Sequence, residues 1–255
     1  MVSSSFNLLN LSTLNGTNGF IINGIVENDL SGNSVSNAGD INNDGIDDLI
    51  INARYADHNG KFNAGQSYVV FGGRNLGSGG TLNLSDLNGT NGFIINGIAA
   101  DSYSGGSVSN AGDINNDGID DLIIGATGAD ANGKSDAGQS YVVFGGRNLG
   151  SGGILNLSDL NGTNGFIING IAVNDLSSYS VSNAGDINND GIDDLIIGAP
   201  GAKSNKGSER TGQSYIVFGG RNLGSGGTLN LSSLDGTNGF LINGIAANDS
   251  SGSSV

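Results

Sequence analysis

The sequence has no cysteine and no tryptophan, and only one proline, one methionine and one histidine among its 255 residues. Without cysteine there is no disulfide framework and no thiolate chemistry. The lone histidine, His58, lies in a variable segment, "ADHNGKF", whose counterpart one unit later is Ala131. A solvated surface role is expected for it rather than catalysis. Basic residues are also scarce, 9 against 24 acidic, for a net charge of −15. Nucleic acid is therefore not an expected partner, because phosphate binding needs a basic surface. Cations are. No apolar run approaches the roughly 18 residues of a membrane span. The start, "MVSSSFNLLNLSTL", has neither a basic n-region nor a sustained apolar h-region, so no conventional signal peptide is expected there. If the chain is exported, the signal lies elsewhere or upstream of this start.

What is abundant is glycine, with 47 residues. High glycine and net charge can mean disorder. Here the hydrophobic residues, 36% of the chain, fall in short, recurrent β-branched runs, which argues for order. The runs recur because the chain repeats. "NGTNGFIINGI" begins at Asn15, Asn88 and Asn161, and "DGTNGFLINGI" at Asp235. The units are approximately 15–87, 88–160 and 161–234, with a partial unit at 235–255. The extra residue of the third unit is placed in "PGAKSNKGSERTG" (Pro200 to Gly212).

Four strands are expected per unit, in "GFIINGI", "SVSNAGD", "DDLIIGA" and "QSYVVFGG". No segment keeps a 3.6-residue apolar period, so the chain reads as all-β. Four strands in about 73 residues is the arithmetic of a β-propeller blade. The expectation is about three complete blades of four antiparallel strands. This is a partial ring, a fragment of a longer array or a part that closes by self-assembly, since a seven-bladed ring needs about twice the length.

The segment "DINNDGIDDLII" recurs unchanged at Asp40, Asp113 and Asp186. In the first copy, Asp40, Asn42, Asp44 and Asp48 occupy positions 1, 3, 5 and 9. Gly45 at position 6 allows a sharp turn, and Ile46 at position 7 can offer its backbone carbonyl. The same places hold Asp113, Asn115, Asp117, Ile119 and Asp121, then Asp186, Asn188, Asp190, Ile192 and Asp194. Oxygen donors at alternate positions converge on one point and suit Ca²⁺, about one ion per loop and three in all. Mg²⁺ demands tighter octahedral geometry, and Zn²⁺ prefers nitrogen and sulfur. The first six residues match an EF-hand loop. Position 12 does not, being Ile51, Ile124 or Ile197 where an EF-hand has glutamate. A plain Asp-Gly turn explains Asp44-Gly45 but not the other carboxylates, which repel each other without a cation. The position-8 residues Asp47, Asp120 and Asp193 should point away from the ion, either solvated or bonded to a neighbouring blade.

The stretches "SGNSVSNAGDINNDGIDDLIINAR", "SGGSVSNAGDINNDGIDDLIIGAT" and "SSYSVSNAGDINNDGIDDLIIGAP" resemble FG-GAP repeats. These are the blades of the integrin α-subunit β-propeller and its bacterial relatives. The calcium loop matches the family pattern at every ligand position. The two namesake motifs depart from it. Phe-Gly is replaced by Ser31-Gly32, Ser104-Gly105 and Ser177-Ser178, and Gly-Ala-Pro survives only at Gly198-Ala199-Pro200. The resemblance implies a seven-bladed propeller, an extracellular or cell-surface location, and a role in adhesion or in binding a protein or glycan ligand.

Other motifs carry less. The Asn-x-Ser/Thr sequons at Asn10, Asn15, Asn83, Asn88, Asn156, Asn161 and Asn230 repeat because the unit repeats. "GGRNLGSGG", with Arg74, Arg147 or Arg221, lacks the lysine and following helix of a phosphate-binding loop. It reads as a flexible inter-blade connection whose arginine pairs with an acidic loop. Serine is ubiquitous without a base beside it, and an active site is not expected in three identical copies, so the chain is not expected to be an enzyme. The alternatives are an accessory propeller of a larger hydrolytic enzyme and a purely structural surface array. Specificity is expected in the variable stretches Arg54 to Ala64, Thr127 to Ala137 and Pro200 to Thr211, with Tyr55 and Phe62 as the aromatics.

Overall fold

Glycine-bounded runs of Val, Ile, Leu and Tyr fold as short strands in the computed structural model, which describes residues 10–203 and 209–255. The first residues of the chain and part of the insertion in the third unit therefore lie outside the described residues. In chain order the strands are β1 (Ile21–Asn23), β2 (Val35–Gly39), β3 (Asp48–Ala53), β4 (Gln66–Val70), β5 (Thr81–Asn83) and β6 (Gly92–Asn96). The next round gives β7 (Ser104–Gly112), β8 (Asp121–Ala126), β9 (Gln139–Val143), β10 (Ile154–Asn156) and β11 (Gly165–Asn169). The last gives β12 (Ser180–Gly185), β13 (Asp194–Ala199), β14 (Gln213–Val217), β15 (Thr228–Asn230) and β16 (Gly239–Asn243). Helical structure among the described residues is confined to single 3-10 turns such as Leu84–Asp86 and Leu157–Asp159. No helix there is long and apolar enough to cross a membrane.

Three four-stranded antiparallel sheets result, the blades of a β-propeller. They are β2-β3-β4-β6, β7-β8-β9-β11 and β12-β13-β14-β16. The expected blade is thus present, but out of phase with the sequence unit. From the second unit on, the strand "GFIIN" or "GFLIN" that opens the unit (β6, β11 and β16) is the fourth strand of the preceding blade. A fifth strand was not foreseen. β10 lies parallel to β6, and β15 parallel to β11, each pair joining the start and the end of one sequence unit across the first three strands of the next blade. β5 pairs with β1 in the same way, as a two-stranded sheet.

The continuous apolar run of "DLIIGA" follows from stacking. Alternate side chains of a strand point to opposite faces, and here both faces are covered. Ile50, Val69 and Phe93 face the second blade, where they meet Leu122, Ile124 and Tyr141. Ile51, Tyr68 and Val70 face the β1-β5 side. The next interface repeats this, with Ile123, Val142 and Phe166 against Leu195, Ile197 and Tyr215. Tyr68, Tyr141, Phe93 and Phe166 are essentially solvent-free. Each such side chain contributes about 1.5–3 kcal/mol through burial.

A polar ladder ties the fifth strand to the blade. The Tyr68 hydroxyl donates to Gln66 Oε1 (3.1 Å), and Gln66 Nε2 donates to Asn96 Oδ1 (2.8 Å). Asn96 Nδ2 then donates to Asn156 Oδ1 of β10 (3.0 Å). Tyr141, Gln139, Asn169 and Asn230 repeat the chain of bonds. Burial pushes Tyr68 up to about 12, and raises Tyr141 and Tyr215 as well, so these hydroxyls remain neutral donors. The Asn-Gly-Thr sequons are local turns: Asn88 Oδ1 accepts from the Thr90 backbone N–H (3.0 Å), and Asn161 from Thr163 (2.9 Å).

"GGRNLGSGG" is not the flexible connection expected. Gly77, Gly150 and Gly224 press their backbones on the rings of Phe20, Phe93 and Phe166, and a Cβ there would overlap the ring. Glycine is required for that contact, so the turn is packed.

Candidate metal centre

Each acidic loop leaves its strand through a β-bulge. The β2–β3 register shifts between Asn37 and Gly39, β7–β8 between Asn110 and Gly112, and β12–β13 between Asn183 and Gly185. The bulge aims the next residue, the position-1 aspartate, into the loop. Asp40 then closes the loop on itself. Its Oδ1 accepts from the Asp44 N–H and its Oδ2 from the Gly45 N–H, both at 2.8 Å. Asp113 and Asp186 do the same at 2.8–2.9 Å. Asn43 and Gly45 take positive φ, 56° and 88°, which curls the loop.

Asp44 Oδ1 accepts from the Ile46 N–H at 2.9 Å. Asp48, at the start of β3, is 1% exposed and accepts from the Gly72 N–H through Oδ1 at 2.7 Å. The Ile41 amide acts on this carboxylate without completing a hydrogen bond, so its Oδ2 is left unsatisfied, as are the buried Asn42 Oδ1 and Asn115 Oδ1. The carbonyls of Ile46, Ile119 and Ile192 accept no backbone N–H among the described residues. Each loop therefore keeps the turn expected of positions 1, 3, 5, 7 and 9. The first two also leave buried oxygens with nothing to accept from. Among the described residues, no three acidic or imidazole groups are drawn together closely enough to hold an ion alone. An oxygen cage here would also need the asparagine and backbone oxygens.

Electrostatics point the same way. Burial pushes Asp48 up to about 6, and the charges of Asp44 and Asp40 add to the rise against the Gly72 and Ile41 amides. Asp121 is pushed up to about 8, again mainly by burial, with Asp117 and Asp113 adding. Asp194 is raised by burial too, opposed by the Gly219, Ile187 and Asn188 amides. Three carboxylates in one small loop, one of them buried, repel one another.

The position-8 aspartates resolve into one of the two roles left open. Asp120 Oδ2 accepts from the Asp40 N–H of the preceding blade (2.9 Å), and Asp193 Oδ2 from the Asp113 N–H (3.0 Å). Gly39 and Gly112 make room for them, since a Cβ at either would overlap that carboxylate. Asp47 instead accepts within its own blade, from Asn37 Nδ2 at 3.4 Å.

Other expected residues fall elsewhere. His58 is not simply solvated: it is half-buried, and its Nε2 sits 2.9 Å from the Gly97 carbonyl. Burial holds it below the ordinary histidine range. Tyr55 packs edge-on to Tyr103, with Arg54 over its ring at 4.6 Å, while Phe62 is exposed. In the first loop the carboxylates accept from their own amides, and no hydrogen bond joins Arg74 or Arg147 to it among the described residues, contrary to the expected pairing.

A comparison with protein families places the loops in context. The FG-GAP repeat family matches residues 31–70, 104–143 and 178–217. Each match spans the first three strands of one blade and the acidic loop between them. No curated protein gives a significant match to the chain. Three matched repeats, three blades and three acidic loops coincide, and the chain carries three FG-GAP repeats.

Proposed function

We propose that the chain is a calcium-binding β-propeller module of a secreted or cell-surface protein, acting in adhesion or ligand binding rather than catalysis. The observation that carries the proposal is the set of buried, unpartnered oxygens on Asn42, Asp48 and Asn115, inside loops already turned for an ion. Leaving such oxygens unsatisfied costs about 1–3 kcal/mol each. A Ca²⁺ ion supplies the missing partner and neutralises the carboxylates. Asp40, Asn42, Asp44, Asp48 and the Ile46 carbonyl would hold it in the first loop, and their equivalents in the other two. The ion binds the folded loop and not the unfolded chain, so its binding energy adds to stability.

Three sites at a free concentration 100-fold above Kd contribute about 8 kcal/mol together. Excess EGTA should therefore lower Tm by about 15–30 °C at this chain length. Replacing Asp44, Asp117 and Asp190 together by Ala should reproduce the loss with calcium present. A melting curve that EGTA leaves unchanged would overturn the proposal.

A further inference from the structure

Two matching cavities lie beside the first two acidic loops, at the end of the blades from which both the β2–β3 loop and the glycine-rich turn project. The first has a volume of about 580 Å³, and its walls include Asn42, Asp44, Arg74, Thr90 and Asn91. Arg147 closes it from the next blade. The second, of about 560 Å³, is built from Asn115, Asp117, Arg147, Thr163, Asn164 and Arg221. Both volumes suit a small-molecule subsite. Arg147 belongs to both cavities, so the two are contiguous. Three exposed arginines thus alternate with two cavities along one face. The whole chain has only 9 basic residues against 24 acidic, which makes this row an anomaly in the charge distribution.

Each element suits a carboxylated sugar. A guanidinium binds a carboxylate through two parallel N–H donors. The Thr90 and Thr163 hydroxyls donate to Asn88 and Asn161 Oδ1 at 2.6 Å and keep acceptor capacity for a sugar hydroxyl. Phe71 and Leu76 line the first cavity, and Phe144 and Leu149 the second, giving apolar surface for the C–H face of a ring. The repeat supplies two such sets, one between each pair of successive blades, which matches a polymer better than a single small anion. Duplex nucleic acid fits poorly against a net charge of −15.

We propose that this row of arginines and cavities binds a linear acidic polysaccharide carrying regularly spaced carboxylates. The inference rests on calcium occupying the loops. Asp44 and Asp117 line the cavities, and their negative charge opposes an anion until an ion neutralises it. Binding is therefore conditional on calcium.

Hyaluronan oligosaccharides, with one glucuronate per disaccharide, provide the probe, and dextran the neutral control. Titration calorimetry is run in calcium and in EGTA, alongside a direct calcium titration. The expected result is hyaluronan binding in calcium, none in EGTA, and none of dextran in either. Arg147→Gln should weaken binding by about tenfold or more and leave the calcium-dependent Tm shift unchanged. Calcium uptake without hyaluronan binding, equal binding of dextran, or an Arg147→Gln variant that binds normally would overturn this inference alone. No calcium uptake would overturn the ion proposal, and this one with it.

Discussion

The first two acidic loops and the third share twelve identical residues, yet they sit in different surroundings. Ile41 and Ile114 are fully buried, whereas Ile187, the same residue of the third loop, is 53% exposed. The Ile41 carbonyl accepts from the Gly146 N–H of the next blade, and the Ile114 carbonyl from Gly220, both at 2.8 Å. Asp40 and Asp113 donate their N–H groups to Asp120 and Asp193, while no side-chain acceptor faces the Asp186 N–H among the described residues. A Cβ on Gly39 or Gly112 would strike the next blade's carboxylate, but one on Gly185 meets nothing within 4 Å. The difference shows that a loop is only half specified by its own residues. The following blade buries its second residue and fixes its first amide.

The largest test of that contrast is isoleucine truncation. Ile41→Ala and Ile114→Ala remove buried side chains between blades and should each destabilise by about 2–5 kcal/mol. Ile187→Ala should change stability by less than about 0.5 kcal/mol. Urea midpoints at saturating calcium would measure all three. Equal losses at the three positions would break the contrast and show that the third loop is covered in solution.

A smaller effect is expected at the inter-blade aspartates. Asp120→Ala and Asp193→Ala leave an amide of the preceding loop without its acceptor, a cost of about 1–3 kcal/mol. Asp47→Ala should be nearly neutral, because its one bond is a long one to Asn37. If Asp120 also orders the first ion site, the Asp120→Ala variant should bind calcium more weakly there while its own loop is unaffected. Site-resolved NMR titration of the Gly45 and Gly118 amides would separate the two loops. Identical behaviour of the Asp47 and Asp120 variants would show that the bond between blades is without consequence.

The contrast also explains how much could be read in advance. Strict repetition of "DINNDGIDDLII" made the loop and its turn legible, because a repeat restates a local geometry without reference to its neighbours. The apolar runs marked β3, β8 and β13 for the same reason. What could not be read was between blades. "TLN" and "ILN" are three-residue strands whose partners lie 60 or 61 residues earlier in the sequence, as with Ile154 against Ile94. No local period announces such a pairing. The role of Asp120 depends on an amide 80 residues away, and only its misfit with the expected ligand spacing hinted at it. The ladder through Gln66 and Asn96 had a trace in the repeated "QSY" and "IIN", visible once the strands are known to be adjacent.

The converse comparison holds the surroundings fixed and changes the residue. His58 in the first unit stands where the second has Ala131, and Ala131 is fully buried. The neighbouring lysines behave alike, since Lys61 Nζ donates to the Ile98 carbonyl at 2.7 Å and Lys134 Nζ to that of Ile171 at 2.6 Å. The histidine therefore adds a titratable group to a site that works without one. Burial is the main cause that lowers its pKa below 6.5; the Lys61 charge adds to this, and the bond to Gly97 opposes it. Because the folded value is the lower one, the unfolded chain takes up the proton first as pH falls below 6.5. The stability contribution of neutral His58 is complete above that pH and is lost as pH falls through the folded value. The group is only partly buried, so solvent screening keeps the effect under about 1 kcal/mol. His58→Ala should reduce the loss of stability between pH 7.5 and 5.5, measured as urea midpoints in saturating calcium and compared with the unaltered chain. Equal losses in the two proteins would mean that His58 carries its proton as readily folded as unfolded.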